Sequence, residues 1–270
     1  MPLPSPAVDR TCLITGASSG IGAEMARELA RRGHGVTLVA RRLERLEALA
    51  AELSSTNGIR AEAISVDLTD ADSRRRLPDE LSGRDLTVDV LVNNAGFSTT
   101  GPVQQSGADR EVAMIRTNVE AVIDLCSRFI PGMAERRRGA VLNVASTAAF
   151  QPLPGQAGYA ATKAFVLSYS RAIGAELRGT GVTVTALCPG PVQTEFIEKA
   201  GLDGDAEMSL PKFMWVPAPD VARAAIEGMA RGRAVVIPGT ANRLGATAAH
   251  LVPRSLLMPL LARQHPSLKS

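Results

Sequence analysis

Short apolar runs alternate with longer amphipathic stretches along most of this chain. Seven apolar runs predict strands, at Thr11–Thr15, Gly35–Ala40, Ala61–Val66, Val88–Val92, Ala140–Val144, Val182–Leu187 and Ala234–Ile237. Six amphipathic patterns predict helices, near Ile21–Arg32, Leu43–Leu53, Asp70–Leu81, Asp109–Arg137, Gly158–Gly179 and Asp220–Arg231. Continuous apolar strands separated by helices of this length are typical of a parallel sheet covered on both faces.

The chain length and composition favour one large domain. The 270 residues are 45% hydrophobic and 21% charged, which are ordinary globular values that allow a sizeable core. No internal repeat or low-complexity linker interrupts the alternation. We therefore predict an α/β fold: a single doubly wound, Rossmann-like domain over residues 1–270, with a parallel seven-stranded sheet and helices on both faces.

The charge pattern argues against nucleic-acid binding. The net charge is +3, and the arginine runs are spread over the predicted helices. Such runs are usually solvated faces, and six Phe, two Tyr and one Trp are too few to interleave with them as stacking platforms.

The cysteines and the ends of the chain bear on location. Cys12, Cys126 and Cys188 lack metal-ligand spacing, so we predict no metal site, and an odd number of unpaired cysteines suits a reducing compartment. The segment Met1–Pro6 lacks the charged and apolar regions of a signal peptide. No apolar run approaches the ~20 residues of a membrane helix. We therefore expect a soluble cytoplasmic protein.

The stretch Tyr159-Ala160-Ala161-Thr162-Lys163 begins a predicted helix and carries the first candidate chemistry. Residues four apart lie on one helix face, so the phenol and the ammonium point the same way. A nearby positive charge lowers the pKa of a tyrosine, which suits a Tyr that acts as acid or base near neutral pH. The spacing also occurs by chance in helices, so the rest of the chain must decide.

A glycine-rich turn, Thr15–Gly22, follows the first strand and opens the first helix. Glycines allow close approach to a pyrophosphate, and a helix N-terminus offers free N–H groups. The Gly-x-x-x-Gly-x-Gly spacing departs from the ordinary Gly-x-Gly-x-x-Gly fingerprint. A plain strand-to-helix turn is the alternative.

Arg41 and Arg42 follow the second strand, where NAD-selective folds place an acidic residue. Arginine presents a fork of donors that suits phosphate oxygens. We therefore prefer NADP(H) to NAD(H) as the cofactor, the alternative being two solvated arginines.

Polar residues also follow the third, fourth and fifth strands. Asp67 can accept a hydrogen bond from an adenine amino group or cap the helix that begins near Asp70. The stretch Asn93–Gly96 combines amides with small residues, as a ligand site or a tight turn requires. Ser146 can donate to a developing oxyanion or simply cap a turn.

These motifs together resemble one family. Thr15–Gly22, Asn93–Gly96, Asn118, Ser146, Tyr159-x-x-x-Lys163 and Pro189-Gly190 have the order and spacing of the short-chain dehydrogenases/reductases, over roughly residues 8–240. The resemblance implies that Tyr159 is the general acid/base and that Ser146 polarises the substrate carbonyl. It implies that Lys163 lowers the pKa of Tyr159 and holds the nicotinamide ribose. Asn118 is implied to hold a water that links Lys163 to solvent.

The resemblance also implies a set of cofactor contacts. Besides Asn118, Tyr159 and Lys163, they are Gly16, Ser18, Ser19, Gly20, Ile21, Gly22, Arg41, Arg42, Asp67, Leu68, Asn94, Ala95, Gly96, Pro189, Gly190, Val192 and Thr194. Asp67 and Leu68 are expected beside the adenine, and Thr194 near the nicotinamide carboxamide. Some NADP-using members carry a basic residue where Ser19 stands, so the phosphate preference depends on Arg41 and Arg42.

The substrate and the assembly are less well defined by the sequence. By resemblance, a lid at about 195–217 covers the pocket, with Phe97 and Phe150 opposite it, and these apolar walls suggest an uncharged or hydrophobic carbonyl compound. The C-terminal tail, about 242–270, has a leucine and arginine pattern of short amphipathic helices that can pack on the protein or contact a membrane surface. A homodimer or homotetramer through the helices near 109–137 and 158–179 is expected from the family.

We therefore predict an NADP(H)-dependent oxidoreductase that interconverts a ketone or aldehyde and an alcohol by hydride transfer. The first alternative is a non-catalytic, dinucleotide-binding regulatory or scaffold protein, which the presence of both Tyr159 and Lys163 disfavours. The second is a sugar-nucleotide epimerase or dehydratase of the longer related branch, whose glycine spacing differs and whose substrate domain needs more chain.

Overall fold

The structure, a computed structural model, describes residues 3–199 and 211–251. Seven parallel strands form one sheet in the order β3-β2-β1-β4-β5-β6-β7. Their bounds are β1 Arg10–Thr15, β2 Val36–Ala40, β3 Ala61–Ser65, β4 Thr87–Asn93, β5 Gly139–Val144, β6 Val182–Leu187 and β7 Val235–Val236. The predicted seven-stranded parallel sheet is confirmed. Because β1 lies between β2 and β4, the chain reverses its winding there, and the carboxyl ends of β1 and β4 flank the crevice where such sheets bind ligands.

Helices cover both faces of the sheet, as predicted. Their bounds are α1 Gly20–Arg31, α2 Leu43–Asn57, α3 Ala71–Ser82, α4 Ala108–Ile115, α5 Ala121–Glu135, α6 Ala157–Glu176, α7 Glu195–Lys199, α8 Ala218–Ala230 and α9 Thr240–Leu251. Leu29, Leu46 and Met229 belong to one apolar cluster, on the face of α1, α2 and α8. Leu77 and Leu167 belong to a second cluster, on the face of α3, α5 and α6.

The long helix predicted over Asp109–Arg137 is interrupted. A π-helical turn, Arg116–Glu120, separates α4 from α5. It contains Asn118, whose side chain hydrogen-bonds to the backbone of Phe97. A π turn inserts one extra residue into a helix and occurs often at functional sites. The periodicity did not reveal it, because the turn depends on the contact of Asn118 with Phe97 in another loop.

The lid and the tail are described in part. Helix α7 and a 3₁₀ turn, Lys212–Met214, form the two ends of the predicted lid. Its predicted wall residues Leu202, Met208 and Leu210 lie outside the described residues, as does the tail beyond Leu251. Within 3–199 and 211–251, no helix combines the length and apolar character that crossing a bilayer requires.

Candidate active site

Helix α6 presents Tyr159 and Lys163 to the end of β5. Both side chains are buried. The Tyr159 hydroxyl is hydrogen-bonded to the hydroxyl of Ser146, which follows β5. Lys163 Nζ lies 5.7 Å from the centre of the Tyr159 ring and donates to the carbonyl oxygen of Val144 at 2.8 Å. The fold therefore brings together three residues that the sequence separates by up to seventeen positions.

Ser146 fulfils one of the two roles that the sequence left open, the cap of a turn, and donation to an oxyanion stays a prediction. Its Oγ accepts a hydrogen bond from the backbone N–H of Ala148 at 3.1 Å and so caps the 3₁₀ turn Thr147–Phe150. The same hydroxyl contacts Tyr159. Because the cap uses an acceptor lone pair, the O–H remains able to donate. The cap fixes the Ser146 side chain, and its hydroxyl hydrogen can be donated to a second partner.

Burial dominates the electrostatics of this pair. It raises the pKa of Tyr159 to about 12, although the hydrogen bond from Ser146 acts in the opposite direction. It also lowers the pKa of Lys163 to about 8. Burial therefore outweighs the Ser146 hydrogen bond, because removing a phenolate from water is costly. The lowering of the Tyr159 pKa by Lys163 stays a prediction.

Asn118 is linked to the helix turn that carries Tyr159 and Lys163. Its Oδ1 accepts from Phe97 N at 3.1 Å, and its Nδ2 donates to Phe97 O at 2.9 Å and to Thr162 Oγ1 at 3.1 Å. Thr162 in turn donates to the carbonyl oxygen of Tyr159 at 2.7 Å. Thr162 lies inside the Tyr-x-x-x-Lys motif and is buried, and the sequence did not predict its link between Asn118 and Tyr159. A buried polar residue in the middle of a motif was the only available signal.

The glycine loop packs against the end of β4. Gly16 has a positive φ of 66°, and a Cβ there would lie 2.8 Å from Ala95 Cα. A Cβ on Gly22 would lie 2.4 Å from Asn94 Nδ2. Asn94 Nδ2 donates to the carbonyl oxygens of Thr15 and Gly16, at 2.9 and 3.3 Å. The Asn94 amide therefore holds the loop in place, which explains why the loop tolerates no side chain at two of its glycines.

Two more glycines of the predicted cofactor contacts, Gly20 and Gly96, face different parts of the site. A Cβ on Gly20 would lie 3.3 Å from the side chain of Thr194, so the glycine loop and the loop after β6 touch. A Cβ on Gly96 would lie 2.9 Å from Asn118 Oδ1 and 3.5 Å from Lys163 Nζ. Glycine at position 96 therefore keeps the space beside the lysine open.

The two strand-end arginines differ in their surroundings. Arg42 donates to Ser18 Oγ through Nε at 3.2 Å and through Nη2 at 2.9 Å, and to Ser19 Oγ at 2.9 Å. Arg41 is exposed, and its carbonyl oxygen accepts from Ser65 Oγ at 3.3 Å. Ser18, Ser19 and Arg42 thus converge on one point beside the glycine loop, which the sequence alone did not predict.

The structure distinguishes the two aspartates that follow β3. Asp70 caps α3 by accepting from the backbone N–H groups of Asp72 and Ser73. Asp67 is exposed and accepts from Thr69 N at 2.9 Å and Thr69 Oγ1 at 2.8 Å. Asp67 is therefore not the helix cap, while the neighbouring Leu68 is buried.

The loop after β6 contains the remaining predicted contacts. Pro189 O accepts from Thr147 N at 2.9 Å, so this loop is tied to the turn that Ser146 caps. Val192 is buried, and Thr194 lies beside Gly20. The loop thus spans from Ser146 to the glycine turn.

Asn242 is a buried residue that the sequence analysis placed in a packing tail. Its Nδ2 donates to Met214 O at 2.9 Å and Pro238 O at 3.1 Å. A Cβ on Gly190 would lie 2.4 Å from its Oδ1. Helix α9 therefore joins the lid to the loop after β6. A single Asn among leucines and arginines carried no sequence signal of this contact.

Comparison with known proteins agrees with this geometry. A family model described as short chain dehydrogenase matches residues 10–203. The chain belongs to the short-chain dehydrogenase family. It is accordingly an oxidoreductase of the NAD(P)-dependent dehydrogenase/reductase class.

Three relatives of this short-chain dehydrogenase illustrate the similarity. A solved short-chain dehydrogenase from Sphingobium yanoikuyae in complex with NADPH is 36% identical, with a TM-score of 0.80, and the match covers 93% of this chain and 95% of that one. An uncharacterized oxidoreductase of Myxococcus xanthus (strain DK1622) is 37% identical over 77% of this chain and 90% of its own length. A serine 3-dehydrogenase of Agrobacterium fabrum (strain C58 / ATCC 33970) is 37% identical over 78% and 84%.

The residues of the crevice fit a phosphorylated dinucleotide. Glycines leave room for backbone approach where a Cβ would collide, and α1 begins with its N–H groups at the loop. The guanidinium of Arg42, together with two hydroxyls, forms a donor set suited to an additional phosphate. The space beside Lys163 is kept open by Gly96.

Proposed function

We propose that the protein is an NADP(H)-dependent carbonyl reductase and alcohol dehydrogenase with Tyr159 as its general acid/base. The observation that carries the proposal is the hydrogen bond between Tyr159 and Ser146 beside buried Lys163, at the end of β5. NADP(H), when bound, supplies or accepts the hydride. The protein supplies the placement of the substrate and the movement of its proton.

The proton chemistry follows from the pKa values. A phenol whose pKa is about 12 remains protonated at neutral pH, so Tyr159 can donate its proton to the oxygen of a carbonyl that is being reduced. Ser146 donates a second hydrogen bond to the same oxygen and stabilises its developing negative charge. Lys163, while protonated, stabilises the phenolate that Tyr159 becomes. The chain from Asn118 through Thr162 holds the helix turn that carries both residues.

The remaining cofactor contacts are proposed as the family resemblance implies them. Asp67 and Leu68 flank the adenine, and the backbone of Asn94, Ala95 and Gly96 lines the ribose. Thr194 and Val192 contact the nicotinamide end. Arg42, rather than Arg41, provides the main contact to the 2′-phosphate, because only Arg42 converges with Ser18 and Ser19 in the structure.

We also propose that the substrate is an uncharged or hydrophobic carbonyl compound. The ring of Phe196, at the start of the lid, lies 5.7 Å from the ring of Tyr159, so an apolar side chain covers the proton donor. Phe150, one of the two residues predicted to lie opposite the lid, is buried in the apolar core. The relative named serine 3-dehydrogenase makes serine the polar comparison compound.

The oligomer proposed from the family has some support in the apolar surface. Val112 and Ile115 on α4 and Ile123 on α5 are 46%, 48% and 37% exposed. Exposed apolar side chains on neighbouring helices favour association. Sedimentation of the wild-type protein tests this proposal.

The cofactor is tested by titrating purified protein with NADPH and with NADH, followed by nucleotide fluorescence. We expect wild type to prefer NADPH by tenfold or more, about 1.4 kcal/mol. Arg42→Ala should abolish most of that preference, and Arg41→Ala should reduce it less. A wild-type preference for NADH would refute the 2′-phosphate assignment.

The substrate class is tested with the preferred cofactor. Apolar ketones and aldehydes are screened for reduction, and L-serine and a secondary alcohol are screened for oxidation. Turnover of apolar carbonyl compounds with no turnover of serine would support the proposed class. Efficient oxidation of serine would contradict it without affecting the proposed acid/base residue.

A further inference from the structure

Glu195, the first residue of α7, joins the lid to the arginines of the second strand end. Its Oε2 accepts from Arg42 Nη1 at 2.8 Å, and its Oε1 pairs with Arg45 Nη1. Arg42 uses its other nitrogens for Ser18 and Ser19. The same guanidinium therefore binds both the glycine loop and a carboxylate of the lid.

This arrangement places an anion on the guanidinium that the proposed 2′-phosphate needs. Arg42 has one fork of N–H donors, and Glu195 already occupies Nη1. A carboxylate and a phosphate on the same cation repel each other and compete for its donors. Arg45 offers the carboxylate another partner, because it lies on α2 one turn beyond Arg42.

We propose that Glu195 and Arg45 tune the selectivity for the 2′-phosphate without contacting it. Glu195 competes with the phosphate for Arg42, and Arg45 draws the carboxylate away when the phosphorylated nucleotide is bound. Both are positioning residues, since each acts through Arg42. The inference rests on the NADP(H) cofactor of the proposed function.

The competition predicts opposite effects for the two residues. The Glu195 side chain is 32% exposed and those of Arg42 and Arg45 are 35% and 53% exposed, so solvent screens the pairs and the effects are modest. Glu195→Gln should tighten NADPH binding by up to about fivefold, because the competing charge is lost. Arg45→Gln should weaken NADPH binding by a similar factor, because Glu195 then loses the cation that competes with Arg42 for its carboxylate. NADH binding, which needs no phosphate contact, should change little in either variant.

The double variant Glu195→Gln/Arg45→Gln separates an indirect role from a direct one. If Arg45 acts only through Glu195, the double variant binds NADPH as tightly as Glu195→Gln does. If Arg45→Gln still weakens NADPH binding when Glu195 is already replaced, Arg45 contacts the phosphate directly and the proposal is overturned.

Glu52→Gln is the matched control, because it makes the same change in charge on α2. Glu52 pairs with Arg27 through two hydrogen bonds, at 2.8 and 2.9 Å. It lines the same surface pocket as Glu195 and Arg45. We expect this variant to leave the ratio of the NADPH and NADH dissociation constants unchanged. An equal shift in Glu52→Gln and Glu195→Gln would show a general charge effect and refute the competition.

The remaining outcomes also decide the question. Unchanged or weaker NADPH binding in Glu195→Gln would show that Glu195 does not compete for Arg42. This failure is distinct from failure of the proposed cofactor, which appears as a wild-type preference for NADH whatever the variants do. The gain in Glu195→Gln should shrink as salt is raised, since the competing charges are partly exposed.

Discussion

Two buried ionisable side chains at opposite ends of the parallel sheet, Asp89 and Lys163, differ in how their charge is balanced. At the amino end, Asp89 is 3% exposed and pairs with Arg138 Nε at 2.5 Å and Arg10 Nη1 at 3.4 Å. At the carboxyl end, Lys163 is 4% exposed and is held by a carbonyl oxygen and a tyrosine ring. Removing the partner of a buried, paired charge is strongly destabilising, whereas a buried charge that is held by a carbonyl dipole is itself costly to stability. The buried side chain that lowers stability, Lys163, therefore lies at the end of the sheet where the chemistry is expected.

The largest effect is expected at the carboxyl end, where Tyr159→Phe removes the proton donor and little packing. Turnover should fall by roughly 10³-fold, in the range of general acid/base catalysis, with the affinity for NADPH nearly unchanged. Tyr169→Phe is the matched control, since Tyr169 stacks on Phe165 away from Ser146 and should retain turnover. Steady-state kinetics check both variants, and normal turnover in Tyr159→Phe would refute the assignment.

At the amino end, Asp89→Asn should show the reverse pattern, a loss of stability without a loss of turnover. Three arginines are then left without their shared carboxylate, but they are about one-third exposed and partly solvated. We expect the free energy of unfolding to fall by about 2 kcal/mol. Unfolding in urea, compared between wild type and Asp89→Asn, measures this change in free energy. Asp9→Asn, which removes an exposed partner of Arg10, should cost less than about 0.5 kcal/mol.

Lys163→Met should abolish most turnover yet stabilise the protein at neutral pH by about 2 kcal/mol, because a buried ammonium is replaced by an apolar group. Burial lowers the pKa of Lys163 from its ordinary value of 10.5 to about 8 on folding. Between these values the unfolded chain binds more protons than the folded one, so wild-type stability rises with pH in this window. The advantage of the variant should therefore shrink from pH 8 to above pH 10. A difference that is independent of pH would contradict the buried-charge argument.

Above pH 10 the tyrosine acts in the opposite direction. Burial raises the pKa of Tyr159 from its ordinary value of 10.0 to about 12 on folding, so the tyrosine of the unfolded chain loses its proton first. Wild-type stability should then fall between pH 10 and pH 12, and less so in Tyr159→Phe. Unfolding of both proteins across this range checks the sign. This effect is the smallest, because Tyr169, whose pKa burial also raises to about 12, shares the window.

Much of the fold could be read from the chain because its signals are local. A continuous apolar run, a helical period and a glycine turn each depend on neighbours within a few residues. The resemblance also led to Ser146, Tyr159 and Lys163, which the structure brings into contact. The π turn at Asn118 escaped prediction, because it depends on a hydrogen-bonding partner, Phe97, in another loop.

The sequence by itself therefore determined the order of strands and helices, the position of the glycine loop and the residue types of the catalytic set. Only the tertiary structure decided which arginine meets Ser18 and Ser19, which aspartate caps α3, and that Asn242 joins the lid to Gly190. It also decided that burial raises the pKa of Tyr159 when charge proximity predicted the reverse. The physical reason is that desolvation and long-range contacts depend on residues that are distant in the chain and meet only when the sheet is assembled.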